Sequence, residues 1–202
     1  MAESKIKIEL YRKMNAEDFT LALADPDRRA KFGSGAAMTA AVSAALLERS
    51  AALTAKTVQG NERLDYILRN AEIIRGYMVH LIDEDVKCHG PLRRATQEGD
   101  PQRIDAARET AVSIANELVN MMTKVLELLE ELAELCVPEA AHFAAESAEL
   151  AMGTMRSAMR YVIAMGMLSE DETYRFVTRR ENEMTLEQYV PVYQHILEKT
   201  GA

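Results

Sequence analysis

One run of apolar residues limits what this chain can become. From Ile104 the sequence places Ala107, Ala111, Ile114, Leu118, Met121, Val125, Leu128, Leu132 and Leu135 in steps that alternate three and four. That is the period of a helix face, sustained like a heptad seam. Asp100-Pro101 opens the run with an N-cap residue followed by proline at the first helical position. A helix of this length spans about 50 Å at about 1.5 Å per residue. Only partners of similar length can cover such a stripe, so the spacing predicts a bundle of long helices.

The rest of the sequence supplies those partners. Asn15 caps a short helix that ends at Asp25-Pro26. An alanine-rich helix runs from near Gly35 to about Val58, where Gln59-Gly60-Asn61 breaks it. The next is predicted from Glu62 to Cys88, with Gly90-Pro91 as its stop. Val137-Pro138 separates the seam helix from a fifth, Glu139 to about Met165. Ser169 and Thr185 each open a capping-box pattern, which predicts two short helices ending at Gly201. Residues 5–12, KIKIELYR, alternate weakly and suit an extended arm. No Gly-, Pro- or Ser-rich linker divides the chain. The expected fold is all-α: a long-helix up-and-down bundle with a C-terminal helical hairpin. It forms one domain over residues 1–202, with a core of about 15–166 and C-terminal helices of about 169–200.

Composition agrees and narrows the function. Apolar residues make up 48% of the chain, but aromatics only 5% and Trp none, so Ala, Leu and Met carry the apolar mass. These residues lose little side-chain entropy in a helix. A net charge of −8 argues against a nucleic-acid partner. Two cysteines without a CxxC motif suit reduced thiols in the cytoplasm. The start MAESKIKIELYRK lacks the apolar core of a secretion signal. No stretch approaches the ~18 uninterrupted apolar residues of a membrane span, so no membrane partner is expected.

Candidate chemistry is sparse. Gly33-Ser34-Gly35 before a helix suits either backbone N–H groups aimed at an anion or small residues for close helix packing. A dinucleotide fingerprint or P-loop would need further glycines or a lysine that are missing here. Lys56, at the far end of the same helix, is a candidate anion clamp. His80, Asp83 and Glu84 share a helix face, with Cys88-His89 one to two turns on. Such a set can ligate a metal, but a solvated acidic helix end is the simpler reading. No metal or other cofactor is expected. His142, beside Phe143, suits either a structural role or a base.

Taken in order, these features resemble a known family. AEDFTLALAD is followed by KFGSGAAMTAAVSAALLERSAALTAK, then by Leu81-Ile82-Asp83-Glu84-Asp85 near the end of a long helix, then by AVSIANELVNMMTKVLELLEELAEL. The order is similar to the cyclodeaminase domain of the formiminotransferase-cyclodeaminase family, which also includes stand-alone methenyltetrahydrofolate cyclohydrolases. The resemblance runs from about Asn15 to Ala164. It implies an all-helical homodimer that acts on folate one-carbon units. The reaction would be loss of ammonia from a formimino group with ring closure, or hydrolysis of the methenyl ring. A tetrahydrofolate derivative would be the substrate, with Gly33, Ser34 and Gly35 against it and Lys56 near its glutamate tail. The chain departs from the family's Pro-Gly-Gly-Gly-Ser loop. It also lacks the later Ser-Asp, for no aspartate occurs between Asp105 and Asp171. The implied acid–base chemistry then falls to Asp83, Asp85, Glu139 and His142. The alternative is a member that kept the bundle and binds another ligand or a protein partner.

Overall fold

The computed structural model of the protein describes residues 10–30 and 32–201. Among these residues six α-helices follow a 3-10 turn at Tyr11–Lys13. They are α1 (Ala16–Ala24), α2 (Phe32–Thr57), α3 (Glu62–Glu98), α4 (Pro101–Ala133), α5 (Pro138–Gly166) and α6 (Glu172–Thr200). No strand is present among the described residues, and the fold is an all-α bundle. Of the segment expected to be an extended arm, residues 5–9 lie outside the described residues.

The seam on α4 is buried from Ala107 to Leu132, except at half-buried Met121. A second stripe lies beside it. Val112, Ala115, Val119, Met122, Leu126, Leu129 and Ala133 are buried too, again in steps of three and four. Two adjacent stripes make α4 a central helix, which packs against α2, α3, α5 and α6. Each fully buried leucine contributes roughly 1.5–3 kcal/mol relative to exposure.

Helix α2 packs mainly on α3 and α5 through small residues. Ala37, Ala40, Ala44 and Ala51 are fully buried, as are Ser43 and Ser50. The hydroxyl of Ser43 donates to the Ser147 carbonyl at 2.8 Å, and that of Ser147 donates to the Ser43 carbonyl at 2.8 Å. Ser50 donates to the Ala140 carbonyl at 3.0 Å. Serine hydroxyls reach the backbone of a neighbouring helix only when two helices lie close, so the small-residue run is a packing surface. By length and composition α2 is apolar enough to cross a membrane. In the bundle its Glu48 pairs with Arg75 of α3 at 2.6 Å, and its serines bond α5.

Three expectations are corrected. Helix α3 does not stop at Gly90-Pro91 but continues to Glu98. Pro91 frees the Lys87 carbonyl at a cost of about 3 kcal/mol, and tertiary contacts hold the extension. Ala95 and Ala107 are buried at the α3–α4 end, and Glu98 pairs with Arg103 at 2.7 Å. The C-terminal pair of helices is one helix, α6, with Pro191 inside it. Its N-cap is Asp171 rather than Ser169. Thr185 caps nothing, because its hydroxyl donates back to the Glu181 carbonyl at 2.9 Å. Tyr189 donates to Glu127 at 2.7 Å, and Lys199 to Glu134 at 2.9 Å, which fastens α6 to α4 and the residue after it. Finally, α2 begins at Phe32, so Gly33-Ser34-Gly35 is its first turn and not a loop.

Candidate functional site

The first turn of a helix carries backbone N–H groups with no partner inside the helix, and a positive dipole end. In α2 the chain itself supplies the anion. Asp85 of α3, only 2% exposed, accepts from the Ser34 backbone N–H at 2.9 Å through Oδ2. The Ser34 hydroxyl lies 3.0 Å from the same oxygen and 2.9 Å from the Ile82 carbonyl, so one proton serves two acceptors. Gly33 leaves the space for this carboxylate. A Cβ at position 33 would sit 2.2 Å from Asp85 Oδ1 and 2.6 Å from its Cγ. Gly35 is different, for a Cβ there would meet only Leu23, at an ordinary 3.4 Å.

One turn beyond Asp85 stands His89. Its Nε2 is 3.4 Å from Asp85 Oδ1, and the side chain is 21% exposed. Tyr161 of α5 packs its ring edge-on to His89 at 6.2 Å and stacks on Phe32 at 4.9 Å. Burial, and then the charge of Asp85, push the Tyr161 phenol above its ordinary range. Three helices thus place a carboxylate, an imidazole and two aromatic rings in one corner.

That corner opens on a cleft of about 720 Å³ between the α1–α2 connection and the end of α3. His89 lines it, with Arg28, Arg29, Lys87, Arg93 and Arg94 as cations and Asp27 as an acid. In a chain of net charge −8 this is a local inversion of sign. The continuation of α3 past Pro91 supplies two of these arginines. The buried Tyr11 steadies the connection, since its hydroxyl accepts from the Arg29 N–H at 3.3 Å.

Asp83, 5% exposed, faces other partners. Its Oδ1 accepts from the Arg12 backbone N–H at 3.3 Å, and Oδ2 lies 3.1 Å from Arg12 Nε without an aligned hydrogen bond. The Arg12 guanidinium also reaches His80 Nδ1 at 2.9 Å, and His80 Nε2 lies 3.3 Å from Glu84. Arginine only donates, so Nδ1 accepts. Among the described residues no three His, Cys, Asp or Glu side chains converge as a metal site would require.

The sequence-predicted residues therefore fall into two groups. Gly33, Ser34, Gly35, Asp83 and Asp85 share one end of the bundle. Lys56, Glu139 and His142 lie at the other, where Ser50 bonds Ala140. Glu139 and His142 are exposed in the first turns of α5. The His142 ring packs on Phe143 at 3.8 Å, and the guanidinium of Arg49 sits 4.3 Å over the Phe143 ring. Within one chain Lys56, exposed in the last turn of α2, is separated from Gly33 by about 35 Å at about 1.5 Å per residue. Sequence reasoning missed the cationic cleft and the place of His89 in it. The Asp85–His89 spacing of four was a visible signal.

The fold and site define an all-helical bundle with a carboxylate locked under a glycine-opened helix start, beside a basic cleft. The family model for formiminotransferase-cyclodeaminase matches residues 15–184, and the chain belongs to that family. The crystal structure of formiminotetrahydrofolate cyclodeaminase from Thermotoga maritima is similar, with a TM-score of 0.85 at 21% identity. The match covers 94% of this chain and 96% of that one. No curated protein matches the chain.

Proposed function

We propose that the protein is a folate one-carbon enzyme of the cyclodeaminase or cyclohydrolase type, acting on formimino- or methenyltetrahydrofolate. The cleft is the observation that carries this reading: five cationic side chains gather beside the aromatic pair Phe32–Tyr161 and the Asp85–His89 contact. A folate joins a flat conjugated ring to an anionic glutamate tail. The arginines offer charge-assisted partners for the tail, and His89, backed by Tyr161, is the ring that lines the cleft. Family membership points the same way.

Both reactions need a proton moved near the one-carbon unit. Gly33, Ser34 and Asp85 belong to the site in this reading, with Asp83 bracing it through Arg12. Glu139, His142 and Lys56 reach a folate in this corner only if a second chain brings them there. A homodimer remains part of the proposal. Val42, Ile73 and Tyr77 on α2 and α3 are exposed and available to cover such an interface.

The test is spectroscopic. Purified protein is mixed with formiminotetrahydrofolate or methenyltetrahydrofolate, and the methenyl absorbance is followed. The proposal expects the band to grow with ammonia release from the first substrate, or to decay well above the buffer rate with the second. Rates equal to buffer in both cases would refute it. Light scattering at tens of micromolar should report two chains per particle.

A further inference from the structure

We propose that His89 is the proton-transferring catalytic residue of this site, and that Asp85 is its positioning residue, itself fixed by the first turn of α2. The inference rests on the folate reading above and names the group that performs its chemistry.

Three observations on different elements converge on the same ring. His89 lines the cleft and keeps part of its side chain exposed, so a ligand there can touch it. Its Nε2 faces the buried Asp85 at 3.4 Å, which leaves Nδ1 as the nitrogen available for transfer. Asp85 in turn cannot swing away, because Ser34 holds its other oxygen by two contacts at 2.9 and 3.0 Å. A carboxylate behind an imidazole fixes the tautomer and stabilises the imidazolium when it forms. The ring is also fixed from the side by Tyr161.

The two buried carboxylates at this end of the bundle suit the role less well. Asp83 is covered by Arg12, and Asp85 is covered by Ser34 under Gly33. Neither offers an oxygen to the cleft. The groups facing His89 are Asp85 from its own helix, Tyr161 from α5, and the cleft's charged side chains. An imidazole can both give and take a proton through the same nitrogen.

The cyclodeaminase step balances with one such group. The lone pair of N10 attacks the formimino carbon and forms the C–N10 bond. The N10 proton passes through His89 to the former imine nitrogen, giving a neutral aminal. The imidazolium of His89 then donates a proton as the C–NH2 bond breaks. Ammonia leaves, the methenyl cation remains, and His89 regains its proton from solvent. One proton is consumed overall. In the cyclohydrolase reaction His89 takes one proton of the attacking water and returns it to N5 as that C–N bond breaks. The remaining hydroxyl proton leaves to solvent as the formyl carbonyl forms on N10, so one proton is released overall.

The experiment compares wild type with His89→Gln, Asp85→Asn and Ser34→Ala in the absorbance assay across pH. Binding of 5-formyltetrahydrofolate is measured in parallel. Circular dichroism confirms that each variant folds. His89→Gln should bind the formyl compound within about threefold of wild type yet lose roughly 10²–10⁴ in kcat, together with one limb of the pH profile. Asp85→Asn should lower kcat at least about tenfold and displace that limb of the pH profile, while binding of the formyl compound holds, because the ring loses the carboxylate that orients it. Ser34→Ala should move the same limb in the same direction by less. A His89→Gln enzyme with wild-type kcat and pH profile overturns the catalytic assignment while leaving the folate reading intact. Wild-type kcat and pH profile in folded Asp85→Asn overturn the positioning role. A wild type that turns over neither folate sinks the folate reading and this inference together.

Discussion

Replacing Gly33 by alanine should destabilise the protein, against the usual direction for glycine in a helix. Elsewhere a helical Gly→Ala change gains about 1 kcal/mol from propensity. At position 33 the new methyl carbon would lie 2.2 Å from Asp85 Oδ1, well inside contact distance. Something must move, and the nearest movable group is the carboxylate. Its displacement costs the two contacts from Ser34 at 2.9 and 3.0 Å. Hydrogen bonds to charged groups contribute about 1.5–3 kcal/mol each, so roughly 3–6 kcal/mol is at stake. Subtracting the propensity gain leaves a net loss of about 2–5 kcal/mol. For a domain of this size that lowers the melting temperature by roughly 4–20 °C, readable by far-UV circular dichroism. Gly76 and Gly153 are the internal controls, because a Cβ at either meets nothing within 4 Å. Their alanine variants should melt at or slightly above wild type. A Gly33→Ala protein that melts as high as the Gly153→Ala protein would refute the claim that Asp85 is locked under the α2 turn.

Other consequences can be checked in the same preparations. Arg29→Glu with Arg93→Glu should weaken 5-formyltetrahydrofolate binding at least tenfold at low salt, and less as salt screens the cleft. Lys56→Met should leave that affinity within about twofold if the site lies within one chain, since about 35 Å of helix separates it from Gly33. Ser43→Val should lower stability by about 1–3 kcal/mol, because it removes a bond to the Ser147 carbonyl and adds bulk where two helices are close. Tyr189→Phe removes the hydrogen bond that is the main reason Glu127 titrates below its ordinary range. A carboxylate with a lowered folded pKa contributes stability above its unfolded pKa and loses it as pH falls through the folded value. The variant should therefore melt below wild type near neutral pH, by about 0.5–1 kcal/mol given partial exposure of Glu127. The gap should close below about pH 4; a gap that widens in acid would contradict it.

How much of this was legible depends on whether the cause is local. The α4 seam was readable because its spacing lies within one helix. The second stripe was obscured by alanines and by Met122, which read as filler until a partner covers them. Pro91 read as a stop by its own chemistry, and only packing from α4 overrides that. Gly33-Ser34-Gly35 stood out in the sequence as a place for an anion or for close packing. The anion proved to be Asp85, 51 residues away from Ser34, and no local pattern reports such a pairing. The basic cleft was invisible for the same reason. Arg28 and Arg29 are separated from Arg93 and Arg94 by the whole of α2 and most of α3, so their shared cleft exists only in the fold.

In the proposed function, folate occupies the corner formed by the start of α2 and the end of α3. Amide hydrogen exchange with and without saturating 5-formyltetrahydrofolate addresses it directly, because the two groups of candidate residues lie at opposite ends of the bundle. Exchange should slow across residues 28–35 and 85–94, with residues 49–57 and 139–143 unchanged. Protection confined to the second pair of segments, or no protection anywhere, would contradict it.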